Sequence, residues 1–219
     1  MNVIVVANQK GGVGKTTVAM QLGAALSRRH RVLVVDTDRQ GSVGWWADRS
    51  RHHLAFDLTA TQSLLALGRI RELEGRYHYV LIDTAGGVEG GALMDTVMDA
   101  ADFVLVPMTP DPLAFAPTLH TISRLIEPRM LRFSVLLNRI DPCIPHQAAG
   151  WCDLLDSVYG IPRFDHHLRE YRAHADAPAL GDVLTTLPDN RRTRGVIADV
   201  TTVGYELEAQ FESALAGRW

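Results

Sequence analysis

The sequence predicts a three-layer α/β fold, a mostly parallel twisted sheet with helices on both faces, as a single domain over 1–219. Three observations predict it. Short apolar runs rich in β-branched residues alternate with segments of helical periodicity along most of the chain. A glycine-rich loop joins the first such strand to the first such helix. Aspartates stand at the ends of the following strands, where an open parallel sheet gathers its functional groups. With 47% hydrophobic and 21% charged residues, the 219-residue chain falls in the ordinary globular range, which sets aside disordered and fibrous classes.

The elements follow in order. NVIVVAN, at 2–8, is an apolar run too short for a helix and reads as a buried strand. After the glycines, TTVAMQLGAALSRR from Thr16 places Val18, Leu22, Ala25 and Leu26 at helical spacing, and its basic ending suits a helix C-terminus. RVLVVD is then a strand, SVGWWADRS a helix, LAFDLTA a strand, TQSLLALGRIREL a helix and YVLID a strand. FVLVPM is a strand, followed by a helix around LAFAPTLHTISRLI, the strand FSVLLN, a helix around QAAGWCDLLDSVY and a helical C-terminal third. Helices of this length between strands imply parallel βαβ units. The proline cluster PMTPDPLAFAP reads as a loop that opens a helix, and no linker or repeat divides the chain. The tandem Trp45 and Trp46 are expected to pack on the core or its flank.

No apolar run reaches the roughly 20 residues that span a bilayer, and Met1 leads into the first strand without a basic leader, so a cytoplasmic location is expected. Cys143 and Cys152, with eight residues between them, do not have metal-site spacing and are expected to be reduced thiols. A net charge of −3 gives no global basic footprint, so any nucleic-acid contact must come from a local patch. Lysine occurs at only two positions, Lys10 and Lys15, both in the glycine-rich loop; the other twenty basic residues are arginine.

That loop, NQKGGVGKTT, follows a strand and runs into a helix. Its glycines let successive N–H groups curl around phosphate oxygens, and the helix N-terminus adds positive charge. The fold is therefore expected to be of the P-loop NTPase type, with Gly11, Gly12, Val13, Gly14, Lys15, Thr16 and Thr17 as the phosphate cradle. Lys15 is the lysine that reaches the β- and γ-phosphates and Thr16 the hydroxyl ligand of Mg²⁺; Lys10 replaces a glycine of the standard pattern. The second motif, VLVVDTDRQGS, puts Asp36 and Asp38 on one side of a strand end, where a carboxylate near the γ-phosphate can hold a metal-bound water or orient the attacking one; a helix cap is the structural alternative for Asp38. The third, YVLIDTAGG, puts Asp83 after an apolar strand, the form of an acid that holds Mg²⁺ through water.

Together, KGGVGKTT, VVDTDRQGS and VLIDTAGG resemble the deviant Walker A ATPases of the ParA/MinD family, particularly the short ParA proteins built from the ATPase domain alone. The resemblance covers essentially the whole chain and is most specific through Gly87. It implies ATP and Mg²⁺ as cofactors and a homodimer formed on ATP. Lys10 matches the lysine that crosses to the partner subunit's nucleotide. Lys15 and Thr16 match the phosphate and Mg²⁺ groups, Asp36 and Asp83 the acids around the metal, and Asp38 the residue that helps activate water. Lys10, Lys15 and Asp38 are thus the expected catalytic residues, with Thr16, Asp36 and Asp83 at the metal. Asn138 and Arg139, in VLLNRID, match a strand-end pair near the adenine base, and PMTPDPLAF resembles a segment that closes over the nucleotide and dimer interface. The family often has proline where this chain has Arg39, and a proline in the loop that here holds Gly86 and Gly87; neither departure removes a reacting group.

ATPases of this family act as switches on a surface, released when a partner stimulates hydrolysis. The C-terminal stripe Leu207, Phe211 and Leu215 is flanked by Glu206, Glu208 and Glu212, which argues against an anionic membrane and for packing on the core. The expected surface is nonspecific DNA, contacted by Arg191, Arg192 and Arg194 with Arg169 and Arg172, which places the ATP form on the bacterial nucleoid. The expected partner is a ParB-like or adaptor protein, and the expected cargo a plasmid, a chromosome region or a protein assembly. The chain shows no N-terminal DNA-reading segment, which argues against operator recognition. The alternatives are a metabolic P-loop enzyme of the same fold and a MinD-like membrane-associated ATPase.

Overall fold

The computed structural model describes residues 1–87 and 91–216. Its strands are β1 (Asn2–Val6), β2 (Val32–Asp36), β3 (Asp57–Ala60), β4 (Tyr79–Asp83), β5 (Phe103–Met108), β6 (Phe133–Ile140) and β7 (Leu168–Arg169). They form one sheet in the order β3-β2-β4-β1-β5-β6-β7, with every pairing parallel. The three-layer α/β expectation is met. β1, β2, β4 and β5 are almost wholly buried because both faces of the sheet are covered, which explains their unbroken apolar runs.

The helices are α1 (Lys15–Ser27), α2 (Ser42–Ala47), α3 (Leu64–Gly68), α4 (Ala92–Asp99), α5 (Pro112–Thr121), α6 (Gln147–Asp153), α7 (Arg172–Leu180) and α8 (Arg194–Ala216). Two cores lie on opposite faces of the sheet. α1, α2, α7 and α8 pack on Ile4, Val6, Val34 and Leu81. α3 to α6 and their extensions pack on Val3, Val5, Val80 and Ile82. Alternate residues of one strand therefore feed different cores, as a period of two requires.

Several elements differ from the sequence expectation. α4 was not foreseen; Met94, Val97 and Met98 bury its inner face. The predicted helix over 61–73 is α3 followed by a 3₁₀ turn, Ile70–Leu73, since Gly68 interrupts it. The helices predicted around 113–126 and 147–159 each end in a π-helical turn, Ile122–Ile126 and Leu154–Tyr159. The C-terminal third is not uniformly helical. It contains β7, which extends the sheet beyond β6, and a non-helical run between α7 and α8. Leu207 and Phe211 lie in the core, and buried Glu208 meets Arg29 at 3.4 Å and His30 at 3.2 Å; Leu215 lies outside the residues whose side chains are described.

The two tryptophans diverge. Trp45 is half exposed under the Arg49 guanidinium, 3.5 Å from its ring centre, whereas Trp46 is 1% exposed and donates its indole N–H to the Asp182 carbonyl at 3.1 Å. Trp46→Ala is expected to cost about 3–5 kcal/mol, because it empties a large buried volume and leaves that carbonyl without its donor. A urea melt checks this; a loss below about 1 kcal/mol would contradict the packing argument.

Candidate functional site

The loop from Asn8 to Gly14 joins the end of β1 to α1. Gly14 precedes the helix at φ 91° and ψ 28°, left-handed backbone that only glycine takes without strain. Asn138, near the end of β6, donates its side-chain N–H to the Val13 carbonyl at 2.7 Å and so supports the loop from beneath. A Cβ on Gly14 would lie 2.4 Å from the Asn138 nitrogen. The resemblance places Asn138 near the adenine base; its amide N–H is bonded to the glycine-rich loop. Arg139 follows in left-handed backbone at φ 60° and borders the same cavity.

That cavity, about 450 Å³, is lined by Gly11, Gly12, Gly14, Lys15, Thr16 and Thr17, and closed by Asp38, Gln40 and Ser42 with Thr84, Gly86 and Gly87. Lys15 is 7% exposed and donates its ammonium to the Lys10 carbonyl at 3.3 Å. Burial lowers its pKa, while the carboxylates of Asp83 and Asp38 act to raise it.

Three acids end the neighbouring strands. Asp36 and Asp83 are register partners across β2 and β4, so the pairing itself sets them side by side. They differ in their partners. Asp36 accepts from the Asp38 N–H at 2.9 Å and the Val43 N–H at 3.1 Å, which ties the strand end to the first turn of α2; the cap position itself is Gly41, not Asp38. Asp38 accepts from the Gln40 N–H at 2.9 Å and borders the cavity. Asp83 is fully buried, and neither carboxylate oxygen has a hydrogen-bond partner among the described residues. Burial pushes its pKa up to about 7; nearby Thr16 and Lys15 hold it down, while Asp36 and Asp38 push it further up. Burial also raises the pKa of Asp36, against its two N–H donors.

An unpartnered buried carboxylate beside a threonine hydroxyl and a phosphate loop is the chemistry that suits a hydrated Mg²⁺. No group of three or more His, Cys, Asp or Glu among the described residues could hold a metal ion. The oxygens of Thr16, Asp36 and Asp83 instead fit an ion that keeps water and substrate phosphate in its coordination. The loop after β4 reaches this point because Gly86 lacks a side chain: a Cβ there would lie 3.1 Å from the Lys15 ammonium and 3.2 Å from the Gly11 Cα. Gly87 then donates to the Gln9 carbonyl at 2.7 Å. Sequence reading missed Gln40, Ser42 and Thr84 as lining residues, although their positions just beyond strands β2 and β4 were a usable signal.

Lys10 does not line this cavity. It borders two flanking ones, of about 470 Å³ with Ala116, Pro117 and His120 of α5, and about 430 Å³ with Asp111, Arg139 and Asp141. The five arginines expected at DNA separate. Arg169 forms a two-pronged pair with Asp199, at 2.9 and 2.6 Å, and is thereby occupied. Arg172 and Arg194 are exposed but meet Asp176 and Asp189 at 3.3 and 3.2 Å. Arg191 and Arg192 are exposed in the turn before α8.

Residues 4–185 match the family model described as the CobQ/CobB/MinD/ParA nucleotide binding domain. The chain is 39% identical over 206 residues to the maintenance of carboxysome distribution protein A of Gloeobacter kilaueensis, covering 94% of each. Among solved structures it is similar to apo McdA of Cyanothece, with a TM-score of 0.73 at 17% identity over 92% of this chain and 98% of that one. It is similar to MinD of Pyrococcus horikoshii complexed with Mg-ADP, with a TM-score of 0.72 at 18% identity over 99% and 97%. It is also similar to cobyrinic acid a,c-diamide synthase of Mycobacterium smegmatis with bound ADP and magnesium, with a TM-score of 0.60 at 25% identity over 83% and 92%.

Proposed function

Because the chain belongs to the CobQ/CobB/MinD/ParA nucleotide-binding family, we propose that it is a positioning ATPase that dimerises on ATP, binds nonspecific DNA and hydrolyses ATP when a partner protein stimulates it. The observation that carries this reading is the divergence of the two lysines. Lys15 lines the phosphate cavity of its own chain, whereas Lys10 lines only cavities beside it, where a second subunit would meet it.

Within one subunit the loop N–H groups and the Lys15 ammonium hold the phosphates. Thr16, Asp36 and Asp83 hold Mg²⁺, which when bound screens the phosphate charge. Asp38, at the mouth of the cavity, orients the attacking water. Arg191 and Arg192, with Arg172 and Arg194 exchanging carboxylate for phosphate, form the DNA surface; dimerisation doubles these contacts, making affinity salt-dependent. The extent of the match to the carboxysome distribution protein favours a large protein assembly as the cargo over a plasmid or chromosome region.

Binding to an arbitrary DNA duplex, measured with ATP, ADP or no nucleotide and at several salt concentrations, tests this together with Lys10→Ala. ATP-dependent binding is expected to fall at least about tenfold in the variant while ADP affinity stays within about twofold. Equal DNA binding in all nucleotide states, or none, would overturn the DNA-switch reading and favour a metabolic enzyme of the same fold.

A further inference from the structure

The loop that carries Lys10 is held from one side by α5. Asn8 is 2% exposed and uses both ends of its amide: the nitrogen donates to the Pro107 carbonyl and to the Thr118 hydroxyl, each at 2.8 Å, and the oxygen accepts from the Lys10 N–H at 2.9 Å. The next N–H, of Gln9, donates to the Thr121 hydroxyl at 3.0 Å. Thr118 and Thr121 are fully buried on α5. Each gives its own proton to the helix carbonyl four residues earlier, Ala114 or Pro117, at 2.8 Å. With that proton directed to the nearer helix carbonyl, Thr118 accepts from the Asn8 amide and Thr121 from the Gln9 N–H, while the Thr121 hydroxyl also lies 3.5 Å from the Asn8 amide oxygen.

The peptide between Gln9 and Lys10 is fixed at both ends. Its N–H is bonded to Asn8, and its carbonyl accepts from Gly87, in the loop after Asp83. The carbonyl of Lys10 accepts from Lys15. One chain of hydrogen bonds thus runs from α5 through Asn8 and Gln9 to both lysines and to Gly87. The outer side of the same helix places Ala116, Pro117 and His120 on the cavity that Lys10 borders.

We propose that Thr121 and Asn8 are positioning residues: through the Gln9–Lys10 peptide they hold Lys10 out of its own phosphate cavity and keep the Gly87 loop in register with it. α5 is then the element through which a contact on the outer surface changes the placement of Lys10. This inference rests on the dimer reading, because Lys10 acts on a second subunit.

Thr121→Val keeps the side chain's shape and removes the hydroxyl, both as acceptor from the Gln9 N–H and as donor to the Pro117 carbonyl, and Thr121→Ser restores both. Sedimentation gives self-association with ATP, calorimetric titration gives affinity for Mg-ADP, and a thermal melt reports folding. Thr121→Val is expected to weaken ATP-driven association about tenfold, leave Mg-ADP affinity within about twofold of wild type and remain folded, with Thr121→Ser close to wild type. Unchanged association in Thr121→Val would overturn the proposal, and so would a parallel loss of association and Mg-ADP affinity, which marks a general structural role. If Thr121→Val does not fold, Asn8→Asp, which keeps the acceptor to Lys10 and loses the donors to the Pro107 carbonyl of β5 and to Thr118 of α5, is measured in its place against the same criteria. Wild-type protein that fails to associate with ATP would overturn the dimer reading first, and this inference with it.

Discussion

Asp83→Asn is expected to raise the thermal stability of the nucleotide-free protein and to abolish Mg²⁺-dependent ATP hydrolysis. Both effects have one cause. The carboxylate is fully buried without a hydrogen-bond partner among the described residues, so the folded chain holds its proton up to about pH 7, against 3.8 for the free group. A raised folded-state value means that its stabilising contribution is complete below pH ~4 and is lost as pH rises through about 7. Above neutrality the wild-type protein without ligand carries a buried negative charge that nearby Thr16 and Lys15 offset only in part, a burden on the order of 2–4 kcal/mol. The neutral amide removes it. Melting at pH 8 in a chelating buffer should therefore rise by about 4 °C or more, and the difference should shrink towards pH 5. Hydrolysis with Mg²⁺ should fall at least ~1,000-fold. A variant less stable than wild type at pH 8 would refute the account of Asp83 as a buried acid held ready for a cation.

Gly14→Ala is expected to reduce Mg-ATP affinity at least about 100-fold while leaving the fold intact. At φ 91° a side chain costs about 1–2 kcal/mol, and the new Cβ would lie 2.4 Å from the Asn138 nitrogen. Asn138 cannot withdraw without breaking its 2.7 Å bond to the Val13 carbonyl, so the loop moves instead and its N–H groups lose their common target. Relieving the clash with Asn138→Ala should recover part of the loss, since the two changes act on one contact. Calorimetric titration of the single and double variants measures this coupling. An affinity within threefold of wild type for Gly14→Ala alone would rule it out.

Much of the fold was legible because the strands buried on both faces are short uninterrupted runs such as VLVVD and YVLID, bounded by turn residues. α4 was missed because its brief apolar pattern directly follows a glycine-rich loop, and its burial depends on tertiary contacts with α3. β7 has two residues, too few for any alternation to register, and pairs with β6 through an irregular register. At the site, the loop lysine, Thr16 and the strand-end acids were readable from spacing. Their differences were not: Asp36 is bonded twice to its own loop while its register partner Asp83 has no hydrogen-bond partner among the described residues, a contrast created by where α2 begins. Asn8 looked like the polar end of a strand, since Thr118 and Thr121, 110 and 113 residues away, become its neighbours only in the folded chain.

The central place of the first strand governs the order in which the molecule can be made. β1 lies between β4 and β5, and its loop is held by Asn138 from β6. On the ribosome, β1 emerges before either neighbour exists, and it waits, apolar and unpaired, until β4 (Tyr79–Asp83) and then β5 (Phe103–Met108) have followed. The glycine loop after β1 therefore gains its full set of supports only once Asn138 has been made, well after the loop itself.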